Sequence, residues 1–251
     1  MGVERMRAAN NRRIGIVLAV LSGLLLLLPR AANADDWPQW RGPNRNGISA
    51  EKGWLTDWPE QGPKKLWSAS LGAGCSSVSV KGDRVFTMGN VADKESVYCL
   101  GAETGKTIWK YEYDCPLNPK NFEGGPGTTP TIYDNRVYSL SRSGHLHCLD
   151  ADSGSLVWKK EAVKELGTQE PTWGLTCSPY AFGDKVVVNL DKVIAFKKDT
   201  GETLWQTERI GAGYSTPAEI VLEGKQYLAV FGTVGLVVLD GDSGKELLRF
   251  P

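Results

Sequence analysis

Histidine is almost missing from this sequence: its 251 residues include two, His145 and His147. They stand two apart in a strand-like run, so they face one side, and no third histidine completes a ligand set. A packed or solvent-facing pair is expected, and no metal site. Cysteines never occur side by side, nor as C-x-x-C or C-x-x-C-H, which excludes a zinc ribbon and a c-type haem attachment. Five do occur, at 75, 99, 115, 148 and 177, an odd number that leaves at least one unpaired. There is no phosphate loop, no dinucleotide fingerprint and no G-x-S-x-G elbow. No basic patch interleaved with aromatics occurs, so no nucleic-acid partner is expected. Beyond residue 34 no segment of useful length carries a helical period.

Glycine and tryptophan are abundant, 29 and nine residues, and they recur in register. Leu146–Trp158 reads LHCLDADSGSLVW, Val97–Trp109 reads VYCLGAETGKTIW, Val193–Trp205 reads VIAFKKDTGETLW, and Leu236–Leu248 reads LVVLDGDSGKELL. A fifth copy survives as KKLW, ending at Trp67. Each full copy is an alternating strand, a turn and a second strand. Gly105, Gly154, Gly201 and Gly244 supply the positive-φ position of the turn. Trp67, Trp109, Trp158 and Trp205 offer large apolar faces to wedge against a neighbouring unit. The closing positions are 67, 109, 158, 205 and 248, a spacing of 42 to 49 residues. Short strands at that period mark an all-β fold, a β-propeller of four-stranded antiparallel blades.

The copies resemble the Ala-x-Asp-x-x-Thr-Gly-x-x-x-Trp repeat of pyrroloquinoline quinone (PQQ) type propellers. Thr104, Ser153, Thr200 and Ser243 fill the Thr position, while Cys99, Cys148, Ala195 and Val238 fill the Ala position. Gly101, Asp150, Lys197 and Asp240 fill the Asp position. The resemblance runs from about Asp36 to the end. Rings in that family usually have seven or eight blades, so about four blades imply an open, incomplete ring. The sequence is expected to be part of a chain roughly twice as long, or to complete a ring as two copies. Lys64–Ser70 is expected to lack its blade.

Residues 1–34 read as a secretory signal peptide. Arg5, Arg7, Arg12 and Arg13 precede the apolar Ile14–Leu28, and Ala32-Asn33-Ala34 offers a cleavage site. Export to the periplasm or the extracellular space is expected, with a mature chain from Asp35. The first cysteine is Cys75, so neither a lipid anchor nor another stable membrane anchor is expected after cleavage. Residues 35–63 form a Trp/Pro-rich lead-in. Its DWPQWRGP stretch, Asp36–Pro43, is similar to the start of exported bacterial proteins with PQQ-like repeats. Three tryptophans before Trp58, at 37, 40 and 54, are costly to leave in water, so the segment is expected to pack on the propeller.

Residues 64–251 are read as the blades. Hairpins turn at Gly82-Asp83, Asp134-Asn135, Gly183-Asp184 and Gly224. Thr129-Pro130, Ser178-Pro179 and Thr216-Pro217 open the inner strands, with Ser76-Ser77 in the first blade. Cys75 and Cys177 share one position and Cys99 and Cys148 another, as small buried residues do. The connections before the inner strands are expected on one face, where function concentrates. The candidate channel and loop residues are Glu123, Thr129, Glu170, Trp173, Ser178, Tyr214 and Thr216, with Asn118, Lys120 and Phe122 beside them.

The resemblance includes the BamB-type component of outer-membrane β-barrel assembly, and it implies a non-catalytic binding or scaffold module with a protein partner. Self-association through open blade edges is a further expectation. The alternative is a PQQ-dependent alcohol dehydrogenase-like oxidoreductase. Enzymes of that type in the family use a Cys–Cys pair, a calcium ion and a catalytic Asp. The absence of adjacent cysteines favours the scaffold, with no cofactor.

Overall fold

Alternating apolar positions broken every few residues by Gly, Asn or Asp leave only short strands, and sixteen form among the described residues. The computed structural model describes residues 35–53, 55–120, 122–211 and 214–251; the signal-peptide reading of residues 1–34 lies outside them. Blade 1 comprises β1 (Ser79–Lys81), β2 (Arg84–Val91), β3 (Lys94–Gly101) and β4 (Thr107–Asp114). Blade 2 comprises β5 (Thr131–Tyr133), β6 (Arg136–Leu140), β7 (His145–Asp150) and β8 (Leu156–Glu161). A single helical turn, α1 (Ala162–Leu166), follows. Blade 3 comprises β9 (Tyr180–Phe182), β10 (Lys185–Asn189), β11 (Val193–Lys197) and β12 (Thr203–Gln206). Blade 4 comprises β13 (Ala218–Leu222), β14 (Lys225–Gly232), β15 (Gly235–Asp240) and β16 (Glu246–Phe250). Each blade is an antiparallel meander in chain order, as hairpin connections dictate. The four sheets form no closed ring among the described residues, in line with the expected open arc.

The repeated motif sets one register slip per blade. Pairing of the third and fourth strands shifts between Cys99 and Leu100, Cys148 and Leu149, Ala195 and Phe196, and Val238 and Leu239. The turn explains it. Gly154 N–H donates to Asp150 O (2.9 Å), while Asp150 Oδ1 accepts from Ser153 N–H (3.0 Å) and Ser153 Oγ–H (2.9 Å). Blade 4 repeats this with Asp240, Ser243 and Gly244. Gly101 and Lys197 lack the carboxylate; there the turn relies on the Thr104 and Thr200 hydroxyls, which accept from Lys106 and Glu202 N–H.

Most of the core lies between blades. One apolar cluster joins Phe86, Met88 and Trp109 to Val137 and Leu149 of the next blade. Another joins Leu140, Leu146 and Trp158 to Val186, Ile194 and Phe196. A third joins Tyr180, Val187 and Ala195 to Leu228, Val237 and Leu239. At each boundary an indole covers the turn glycine of the following blade: Trp67 over Gly105, Trp109 over Gly154, Trp158 over Gly201 and Trp205 over Gly244. A Cβ on Gly154 would stand 2.6 Å from the Trp109 ring, and one on Gly201 2.8 Å from the Trp158 ring. Trp67, Trp109 and Trp158 also donate Nε1–H to Ala102 O, Ala151 O and Lys198 O at 2.7, 3.0 and 2.8 Å. Lys64–Ser70 forms no strand; it reaches the propeller through Trp67.

The inner strands are stapled by hydroxyls. Thr129 N–H donates to Ser178 Oγ (2.9 Å), and Ser178 N–H to Thr216 Oγ1 (3.0 Å). One step further along, the Ser79 and Thr131 hydroxyls donate to Pro130 O and Pro179 O. This ladder corrects the first blade's alignment: Ser77-Val78, not Ser76-Ser77, matches Thr129-Pro130. The strand pairing agrees, since Lys81 opposes Arg84 as Tyr133 opposes Arg136. The cysteines are all free thiols; Cys99, Cys148 and Cys177 are buried as expected, whereas Cys75 is exposed. Its place before the inner strand opens onto the loop face.

Candidate functional site

The lead-in crosses the inner ends of three blades. Trp37 and Val80 exchange two backbone hydrogen bonds of 2.8 Å, and Gly82 N–H donates to Asp36 Oδ1 (2.7 Å). Ile132 N–H of blade 2 donates to Pro38 O (2.8 Å). Arg45 Nη2–H then donates to Ala181 O of blade 3 (3.1 Å) and to Gln39 Oε1 (2.6 Å), and its guanidinium lies 3.5 Å from the centre of the Tyr180 ring. Arg41 and Arg45 hold positive φ angles of 66° and 54°, an unfavourable backbone that the surrounding bonds over-determine. Pro43 and Gly42 make the turn between them, with Gly42 directly against the Trp37 ring.

Two adjoining clefts open on this face, and a third, about 470 Å³, lies along the lead-in between Gln39, Arg45, Tyr180 and Glu219. The first, about 370 Å³, is walled by Trp40, Arg41 and Arg45 from the lead-in and by Ser178, Tyr214 and Thr216 from blades 3 and 4. The second, about 260 Å³, is walled by Phe122, Trp173, Leu175, Cys75 and Arg142. Gly127 and Thr176 belong to both. The Phe122 and Trp173 rings stand 6.3 Å apart. Arg142 is buried; its Nη1 pairs with Glu170 at 3.1 Å, and its Nε and Nη2 have no partner.

The sequence candidates therefore separate. Trp173, Tyr214 and Thr216 reach the clefts, with Tyr214 OH accepting from Trp173 N–H at 3.4 Å. Ser178 lines the first cleft but is buried and engaged in the hydroxyl ladder. Thr129 is buried in that ladder and lines neither cleft. Glu170 acts through Arg142, and Glu123 is exposed away from both. Lys120 Nζ–H donates to Thr172 O (2.8 Å), tying two connections together. Sequence reasoning missed Trp40, Arg41, Arg45, Cys75 and Arg142. DWPQWRGP was the available signal for Trp40 and Arg41; the segment packs on the blades at Trp37 as expected, but Trp40 faces solvent at 46% exposure, a correction to the expectation that its ring would be covered.

A second polar constellation lies between blades 1 and 2. Glu95 is fully buried, and its Oε1 accepts the Tyr113 hydroxyl at 2.6 Å while Oε2 has no partner. Burial pushes its carboxyl up to about 7, against the opposing pull of Tyr113, Cys115 and the Arg142 charge. Burial likewise pushes the Cys115 thiol up to about 12 and His147 down to about 3, which keeps both neutral. The histidine pair is the packed kind: His147 stacks 4.3 Å from the Tyr113 ring and 5.1 Å from Tyr111, and His145 Nδ1 meets Ser141 Oγ at 3.0 Å. No group of three or more His, Cys, Asp or Glu side chains suited to a metal ion occurs among the described residues.

The family model of the outer membrane protein assembly factor BamB matches residues 51–120 and 93–249. The chain belongs to this family. The propeller also superposes on BamB from Moraxella catarrhalis with a TM-score of 0.57 at 16% identity, covering 74% of this chain and 54% of that one. A quinohemoprotein alcohol dehydrogenase from Comamonas testosteroni gives 0.61 at 15% identity, covering 88% of this chain and 42% of that one. A quinohemoprotein alcohol dehydrogenase from Pseudomonas putida gives 0.52 at 17% identity, covering 73% and 35%. The chain thus spans between 35% and 54% of the length of these structures. No curated protein matches its sequence. Identities this low establish the shared PQQ-like repeat fold and leave activity to the residues of the site.

Proposed function

We propose that this is an exported binding or scaffold propeller whose loop face receives a protein partner. The observation that carries this is the cluster of Trp40, Phe122, Trp173 and Tyr214 with Arg41 and Arg45 around two adjoining clefts. Three of the aromatics are over a third exposed: Trp40 by 46%, Trp173 by 37% and Tyr214 by 44%. Aromatic and arginine side chains of this kind dominate protein–protein contacts, because they bury much area with few rotors. The residues there suit a cofactor poorly. The quinone-enzyme reading asks for adjacent cysteines and clustered carboxylates with a calcium ion, whereas Cys75 is the one cysteine on the described walls of the two clefts.

A photo-crosslinking side chain at Tyr214, in the cell that exports the protein, is expected to capture a protein partner that the same group at Thr107 does not. Thr107 is exposed on a fourth strand, far in the blade from the loop face. Equal capture from both positions, or none from Tyr214, overturns the assignment. Export rests on the Arg-rich start, the Ile14–Leu28 run and Ala32-Asn33-Ala34. N-terminal sequencing of periplasmic or secreted material should read from Asp35, and recovery of Met1 there contradicts cleavage.

A further inference from the structure

Resting on that reading of the loop face, we propose that the partner docks an extended acidic–apolar segment. Its carboxylate side chain sits on the Arg41 guanidinium, in the positive field of Arg45, and a large apolar side chain two positions away sits between Phe122 and Trp173.

The first cleft is built for an anion. Its lining holds two guanidiniums and several hydroxyls and no carboxylate. Arg41 is exposed and donates a single long bond, to Asn46 O at 3.3 Å, while the Arg45 guanidinium, held by the Tyr180 ring, Gln39 Oε1 and Ala181 O, adds a fixed positive charge behind it. A guanidinium fork with free donors pairs best with a carboxylate. Glu219 acts on Arg45 from outside this cleft, and its Oε1 already accepts from Gln226 at 2.5 Å. The second cleft is built for a side chain without polar atoms, walled by the Phe122 and Trp173 rings and Leu175. Gly127 keeps the two continuous, because a Cβ there would come 2.9 Å from Thr176 Cγ2. In an extended chain, residues i and i+2 point the same way roughly 7 Å apart, which suits one acidic and one apolar anchor in adjoining clefts. A β-strand-like segment spends little conformational freedom to present both.

The test uses the full chain, with the indole N–H signals of Trp40 and Trp173 followed by NMR. The probe is an N-acetylated, C-amidated peptide carrying aspartate and, two positions later, phenylalanine, at millimolar concentration. Both indole signals are expected to move, with affinity falling at least tenfold when the peptide's aspartate becomes asparagine or its phenylalanine becomes alanine. Arg41→Gln, at an exposed side chain, is expected to weaken binding at least tenfold with an unchanged melting temperature. Equal affinity for the asparagine peptide, or no movement with any peptide, overturns the proposal. Binding of 3-phenylpropionate as tightly as the peptide also overturns it, in favour of a small carboxylate ligand. A partner captured at Tyr214 together with no peptide selectivity removes this inference alone; no capture at Tyr214 removes the reading beneath it.

Discussion

Trp158→Ala is expected to lower stability by about 3–5 kcal/mol, the range for large aromatics truncated in a core. Trp158 is 8% exposed, between blades 2 and 3. Its ring packs at centroid distances of 6.1 Å from Tyr138 and 6.4 Å from Phe196, and its Nε1–H donates to Lys198 O. The alanine variant loses that area, opens a cavity and removes one of the hydrogen bonds to Lys198 O, leaving the Tyr138 hydroxyl at 3.2 Å, so the three costs point the same way. For a domain of this size the loss corresponds to a melting temperature lower by roughly 10 °C. Gly201→Ala approaches the same joint from the other side. The added methyl meets the indole, and φ at Gly201 is 70°, where an L side chain is strained. Trp40→Ala, at an exposed indole, should shift melting little. An unchanged melting curve for Trp158→Ala would show that the inter-blade indole does not hold the arc together.

The second large effect is a pH dependence centred on Glu95. The unfolded carboxyl titrates near 4.5 and the folded one near 7, because burial opposes the charged form. Between those values the unfolded chain releases a proton that the folded chain keeps. Stability from this group is therefore complete below about pH 4.5, falls as pH rises toward 7, and stays low above it. Glu95→Gln keeps an acceptor for the Tyr113 hydroxyl and removes the titration. The variant should be more stable than the parent at pH 8, by on the order of 3 kcal/mol, and nearly equal to it at pH 4. Denaturant unfolding at the two pH values measures this, and a parent-to-variant difference independent of pH would exclude a titrating Glu95. The neighbours facing that carboxyl are Tyr113, Cys115 and Arg142, with His147 against the other side of Tyr113. Removing the Arg142 charge should raise the Glu95 midpoint further.

The blades were legible because their signals are local and repeated. A turn glycine in register four times over, followed four residues later by a Trp in three of the copies, leaves little freedom of interpretation: Gly154 and Trp158 mark one hairpin, and Gly201 of the next blade receives that Trp. The hydroxyl–proline pairs were legible as a set, yet their first member was placed one residue early. Ser76, Ser77 and Ser79 offer no proline to fix the frame, and only pairing of Lys81 with Arg84 decides it. The path of the lead-in was not legible. Arg45 meets Ala181 across 136 residues, and no local pattern encodes such a partner. Burial of single charges was hidden for the same reason. Glu95 sits in a third strand whose other residues carry the pattern, and Arg142 becomes buried only when the connection at Gly174 folds over its side chain. Thr129 and Ser178 show the converse: small polar residues at an inner strand read as functional but serve as rungs between blades.

The joint of indole over glycine has a direction. Blades 1 to 3 each hand a ring forward to the next, and none receives support of this kind except through the ring handed to it. Trp67, in Lys64–Ser70, begins the series ahead of blade 1, and at the fourth blade the equivalent position is Leu248, 48% exposed. Such an arrangement behaves as a row rather than a globe, its cohesion summed over nearest neighbours. Damage to one joint uncouples what lies downstream while leaving the upstream rows intact, so the same substitution matters more or less according to where along the row it falls. Exchange of protected amides should therefore quicken downstream of a damaged joint and hold upstream of it.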